Sequence, residues 1–210
     1  MAPKVTSTYK LKKKQQLLLA AREVFLSKGY TNATIQDIID IAGVSRGTIY
    51  NYFKNIDHAF VEVLYNDDQY LLPNIQIDSR KSVWQQLTFW IEQLVDIHTN
   101  QPSLVQARSE FFLSSNYVNN KEHFSYIIKK RYEVMVEGIK HTIQQGKDAG
   151  QLNPVTDGDT IAHYLISFMD GMILNTDLLG SQVTSMEKQI DFFLESLKTL
   201  LCPIVQTPQK

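Results

Sequence analysis

The stretch TIQDIIDIAGVSRGTIYNYFK, Thr34–Lys54, decides the fold. It reads as two short helices joined by a tight turn. Thr34 is placed to N-cap the first helix, and Asp37, three residues on, to close a capping box back onto it. Ile35, Ile38, Ile39 and Ala42 then recur at helical spacing. Gly43 follows, the residue best able to take the left-handed conformation in which a chain turns sharply out of a helix. Ser45 caps the second helix. This is helix-turn-helix anatomy, whose second helix lies in the DNA major groove.

The outer face of that second helix suits the role. Arg46, Thr48, Tyr50, Asn51 and Tyr52 donate to or stack against bases and phosphates, and Gly47 removes a side chain where the backbone would come closest to DNA. The caps Thr34 and Ser45 and the cation Lys54 extend the candidate contact set. Upstream, Lys10, Lys12, Lys13 and Lys14 open a helix expected to run to about Ser27. Cations there oppose the helix dipole, so local stability does not explain them. A phosphate-contacting arm that includes Lys13 and Lys14 would, and so would a solubilising cluster.

The pattern T-I-x-D-I-I-x-x-A-G-V-S-R-G-T-I-Y-x-Y-F-K-N, with LLLAAREVF and Gly29 before it, resembles the N-terminal signature of the tetracycline-repressor family of bacterial regulators. The resemblance ends near Phe60 and covers under a third of the chain. It implies a DNA-binding domain, residues 1–54, and a ligand-binding and dimerisation domain, residues 55–210. It also implies an effector pocket inside the body and a four-helix dimer contact made by the last two helices and their symmetry mates. One departure stands out: the family usually places Lys where this chain has Ile56.

Composition agrees with a globular all-α chain. Of 210 residues, 43% are apolar and 20% charged, with nine Gly and six Pro lying mostly between helical patterns. The single Cys202 excludes an internal disulfide framework and fits a reducing cytosol. No secretory signal is visible and charges interrupt every long apolar run, so a cytoplasmic protein without a membrane span is expected. The net charge of −1 hides an asymmetry: residues 1–60 carry +5 and residues 61–210 carry −6. A basic head is attracted to phosphates, and an acidic body is kept off them.

Along the chain, residues 1–9 are expected to be disordered. Asn55 caps a helix that Pro73 ends. Further helices are expected over about Ser79–Thr99, after Pro102, over about Asn120–Gly146, and from a Thr156–Asp159 capping box to Leu179, closed by Gly180. A Thr184–Glu187 box starts the last. The count is about nine, three in the head and about six in the body.

His58, His98, His123, His141 and His163 sit singly, so no nucleophile, metal or cofactor constellation emerges and no enzyme is expected. In the helices after residue 157, Leu165, Met172, Ile190, Phe193 and Leu197 belong to apolar arcs too wide for one neighbour. They are the candidate dimer contacts, or else the core of the body. Candidate effector-lining residues are Trp84, Trp90, Phe111, Phe112, Tyr132, Met135, Phe168 and Met169, together with Asp170. His163, Asp170 and Asp177, seven apart, could equally mark a solvated stripe. The expectation is a regulator, most simply a repressor, that binds a near-palindromic duplex operator as a homodimer and leaves it when a small molecule enters. The second reading is an all-α carrier or scaffold whose basic head contacts protein.

Overall fold

The computed structural model describes residues 7–71, 78, 81–100, 103–119 and 121–204. Among them lie eleven helices: α1 Ser7–Lys28, α2 Ile35–Ala42, α3 Arg46–Tyr50, α4 Ile56–Leu71, α5 Val83–Asn100, α6 Val105–Leu113, α7 Ser115–Asn119, α8 Lys121–Asp148, α9 Gly158–Leu179, α10 Ser181–Thr184 and α11 Met186–Leu201. The all-α expectation holds. The surplus over nine is the two short helices α7 and α10. The described residues fall into two compact units, one within Met1–Tyr70 and Pro102–Ile127, the other within Leu71–Gln101 and Ile128–Lys210. By packing, therefore, the first unit is larger than residues 1–54.

The first unit is built on aromatic burial. Phe25 of α1, Phe53, Phe60 of α4 and Phe111 of α6 are fully buried, each removing enough apolar surface from water to contribute roughly 1.5–3 kcal/mol. Phe25 meets Phe60 edge-on at 4.7 Å, and Phe60 meets Phe111 at 5.1 Å. Two polar links tie α4 in place. The Arg22 Nε–H on α1 donates to both carboxylate oxygens of Asp67, at 2.9 and 3.0 Å. The buried Tyr30 hydroxyl donates to Asp57 in the first turn of α4.

In the second unit, Leu87 and Ile91 of α5, Ile139 and Ile143 of α8, Ile161 and Leu165 of α9, and Phe193 and Leu197 of α11 form the core. Phe168 lies flat on Phe193 with ring centres 4.2 Å apart. The end of α11 is stitched by main chain to the loop before α9: Asn153 N–H donates to Leu201 O at 3.0 Å, and Ile204 N–H to Gln151 O at 2.8 Å. The Gln151 side chain accepts the Val83 N–H at the start of α5 at 2.7 Å.

Three expectations are corrected here. Ser7–Tyr9 are helical, so α1 begins before the lysines; residues 1–6 lie outside the described set, as do Pro73, Ser79, Pro102 and Asn120. Helix α9 is capped by Asp157, whose carboxylate accepts the Thr160 N–H at 2.8 Å. Thr156 stands one residue too early. Helix α11 has no side-chain cap: Ser185 precedes it in a left-handed conformation (φ 51°), while Thr184 ends α10 and its hydroxyl donates back to Gly180 O at 3.1 Å.

Candidate nucleic-acid interface

Local chemistry sets the helix-turn-helix. Thr34 Oγ1 accepts the Asp37 N–H at 3.2 Å, and Asp37 accepts the Thr34 N–H at 2.9 Å, so the capping box is complete. The Lys28 ammonium, 2.6 Å away, and the bonds from Thr34 hold the Asp37 carboxyl below its ordinary range. Gly43 takes φ 61° and donates to Ile39 O at 3.0 Å. Ser45 Oγ then accepts the Thr48 N–H at 3.3 Å and starts α3. Ile49 is fully buried and pins α3 to the unit, while Phe53 N–H returns to Ile49 O at 2.9 Å and closes its end.

That anchoring turns one face outward. Ser45, Arg46, Gly47, Tyr50, Asn51 and Lys54 are exposed, and Thr48 and Tyr52 are half-buried. The Arg46 guanidinium lies over the Tyr50 ring on the outer face, 5.8 Å from its centre. A Cβ added at Gly47 would meet nothing among the described residues, so backbone is open to a close partner there. Thr34 is exposed, but its hydroxyl also donates to Asp37, at 2.7 Å, and serves the cap.

The lysines divide. Lys13 donates to Gln16 at 3.0 Å, and Lys14 pairs with Glu62 of α4 at 2.7 Å. Both sit on α1, as expected, and Lys14 reaches across to α4 while 43% of its side chain stays exposed. Ile56 is half-buried at the start of α4, where Asn55 Oδ1 accepts the His58 N–H at 2.8 Å. His58 is not isolated: its Nδ1 accepts the Lys54 N–H at 3.1 Å.

The other candidate sets are placed differently from expectation. Phe111 and Phe112 belong to the first unit, where Phe111 is the centre of the aromatic core and touches Tyr30, Phe60, Phe112, Tyr117 and Phe124. Trp84, Trp90, Tyr132, Met135, Phe168, Met169 and Asp170 belong to the second, so the nine do not form one cluster inside either unit. Tyr132 stacks on His163 and its hydroxyl lies 2.7 Å from His163 Nδ1; Asp170 is exposed on α9. Trp90 is buried, and its indole N–H has no acceptor among the described residues. A cleft of about 180 Å³ beside α1 and α4, lined by Leu11, Lys14, Gln15, Leu18, Glu62, Tyr65 and Asn66, includes none of the expected lining residues.

The candidate dimer contacts point into their own chain. Leu165, Met172, Ile190, Phe193 and Leu197 are all buried within one protomer, and Leu197 has 0% of its surface exposed. Their apolar arcs are covered by the unit itself. The large apolar side chains that α9 to α11 leave exposed are Tyr164, Leu178, Leu179, Val183 and Phe192, the last at 81%.

Among the described residues no group of three or more His, Cys, Asp or Glu is arranged to hold a metal, and no helix is long and apolar enough to cross a membrane. The fold and the capped, outward-facing α3 define a helix-turn-helix DNA-binding protein. Residues 17–63 match the model of bacterial regulatory proteins of the tetR family, and residues 86–187 match the tetracyclin repressor-like C-terminal domain. The chain belongs to the tetracycline-repressor family of transcriptional regulators.

Relatives and solved structures agree. The chain is 28% identical over the full length of both proteins to the uncharacterized HTH-type transcriptional regulator YfiR of Bacillus subtilis. It is 24% identical over 198 residues to the transcriptional regulator TtgR of Pseudomonas putida, covering 87% of this chain and 90% of that one. In fold it is similar to reduced NemR of Escherichia coli, with a TM-score of 0.73 at 16% identity over 93% of this chain and all of the other. These matches do not favour the carrier or scaffold reading.

Proposed function

We propose that the protein is a repressor that binds a near-palindromic duplex operator as a homodimer in the cytoplasm and is released by a small-molecule effector. The observation that carries this is the face of α3. Ile49 and the Ser45 cap fix the helix, and Arg46, Tyr50 and Asn51 are left exposed with Lys54 beside them. Such groups reach base edges and phosphates when a recognition helix enters the major groove. In this reading residues 1–54 contact DNA and residues 55–210 bind effector and partner.

Two further observations support the finer points. The buried Trp90 N–H, without an acceptor among the described residues, is a donor that an effector's oxygen or nitrogen would satisfy. AcnR of Corynebacterium jeikeium, 37% identical over 65 residues covering 31% of this chain and 34% of that one, is named a transcriptional repressor. That supports the direction of control.

The test is a gel shift with duplex DNA from upstream of the protein's own gene, repeated with candidate effectors. A retarded band that disappears with one effector is expected. No retardation of any duplex, even at low salt, would overturn the reading.

A further inference from the structure

A histidine stands behind the exposed turn that joins α3 to α4. His58 Nδ1 accepts the main-chain N–H of Lys54 at 3.1 Å, so the ring in this arrangement carries its proton on Nε2. Nε2 faces Glu62 Oε1 at 3.7 Å, and the other Glu62 oxygen holds Lys14 at 2.7 Å. The Phe53 ring meets the imidazole edge-on, 6.2 Å between centres. The ring thus faces the Glu62 carboxylate on its own helix, whose other oxygen carries the Lys14 ammonium of α1, and meets Lys54 through its main-chain N–H. Asp57, next to it in sequence, is turned inward to Tyr30.

We propose that His58 is a further determinant of DNA affinity, linking phosphate contact at the Lys54 turn to proton uptake by its ring. The proposal rests on the reading of α3 and Lys54 as the DNA face. The neutral ring occupies the Lys54 N–H and withholds it from an incoming phosphate oxygen. A proton taken from solvent onto Nδ1 ends that acceptance, because the nitrogen then has no lone pair to offer. The Lys54 N–H is freed at a helix start, where backbone N–H groups and the helix dipole favour an anion. The same proton adds one positive charge behind the turn. His58 acts on the phosphate through its neighbour and is a positioning residue. Its effect should be the same for every DNA sequence, since it bears on the phosphate backbone alone.

The experiment is anisotropy of a labelled duplex of arbitrary sequence with the full-length protein, from about pH 8 to about pH 5. Each pH is titrated with salt from about 50 to about 200 mM. Wild type should bind severalfold more tightly at the acid end, with a log–log salt slope steeper by about 0.9, the value of one added phosphate contact. His58→Asn keeps an acceptor for the Lys54 N–H but takes no proton. It should match wild type at the alkaline end and lack the extra acid gain, while retaining whatever the other histidines contribute. An equal pH response in wild type and variant overturns the proposal and leaves the DNA face intact. A wild-type slope that does not change with pH overturns it without recourse to any variant. Failure of wild type to bind duplex at any pH would instead remove the DNA face, and this proposal with it.

Discussion

The carboxylate of Glu110 lies where a side chain at Gly29 would be. A Cβ built on Gly29 would fall 2.6 Å from both Glu110 oxygens, and one of those oxygens accepts the Thr31 N–H at 2.9 Å. A residue of α6 thus closes on the turn that ends α1. Burial pushes the Glu110 carboxyl up, but the Thr31 N–H and the Gln106 amide together hold it below its ordinary range.

Gly29→Ala should therefore destabilise twice over. Gly29 has φ 70°, which costs a residue with a Cβ about 1–2 kcal/mol, and the new methyl meets Glu110. Adding Glu110→Ala should relieve the steric part and leave the backbone part. The double variant should then be more stable than the summed single losses predict, by urea midpoint. Simple additivity would show that the two residues do not meet.

Acid should loosen the first unit through Asp37 as well as Glu110. The folded protein holds both carboxyls below their ordinary range, so the unfolded chain binds protons more readily. Their contribution is complete above the unfolded carboxylate range and fades as pH falls through the lower folded value. Asp37→Asn should lose stability near neutral pH and show a shallower decline towards about pH 3. Urea unfolding along that range decides it; an unchanged decline would mean the Lys28 contact does not matter.

Leu197 and Phe192 should separate folding from association. Leu197 has no exposed surface, and Leu197→Ala should cost about 2–5 kcal/mol of protomer stability. Phe192, 81% exposed on α11, should tolerate Phe192→Asp with little change in melting, and the variant should sediment as a smaller species if this face meets a second copy. A dimer of undiminished affinity would take the partner contact away from Phe192.

Arg46 and Lys54 should fail in different ways. Loss of a base-edge contact costs about 1–3 kcal/mol at one base position, whereas loss of a phosphate contact weakens all sequences alike. Arg46→Ala should relax preference among operator variants, and Lys54→Ala should lower affinity uniformly. The same uniform loss from both would end the division of roles.

What could be seen in the sequence was local. The Thr34–Asp37 box, the Gly43 turn and the Ser45 cap each depend on residues within four positions, so spacing was enough to place them. The competition at Asp157 was also local, but two adjacent residues could cap and only backbone geometry chose between them. Periodicity showed that α9 and α11 are apolar around wide arcs. It could not show that Leu165, Phe193 and Leu197 face their own chain, because an arc does not name what covers it. The surroundings of Phe111 were hidden for the same reason: its aromatic neighbours Tyr30 and Phe60 are distant in sequence and adjacent in space.

Helix α5 carries both tryptophans of the chain, Trp84 and Trp90, and it belongs to the second unit. Indole emission, excited beyond the tyrosine band, consequently reports on that unit alone. Helical circular dichroism reports on both. If heating the protein moves the two signals together, the units melt as one cooperative body; if the emission changes at its own temperature, they are separate thermodynamic entities. Substituting neither tryptophan, one cuvette would show whether an event felt in the body must be felt in the head.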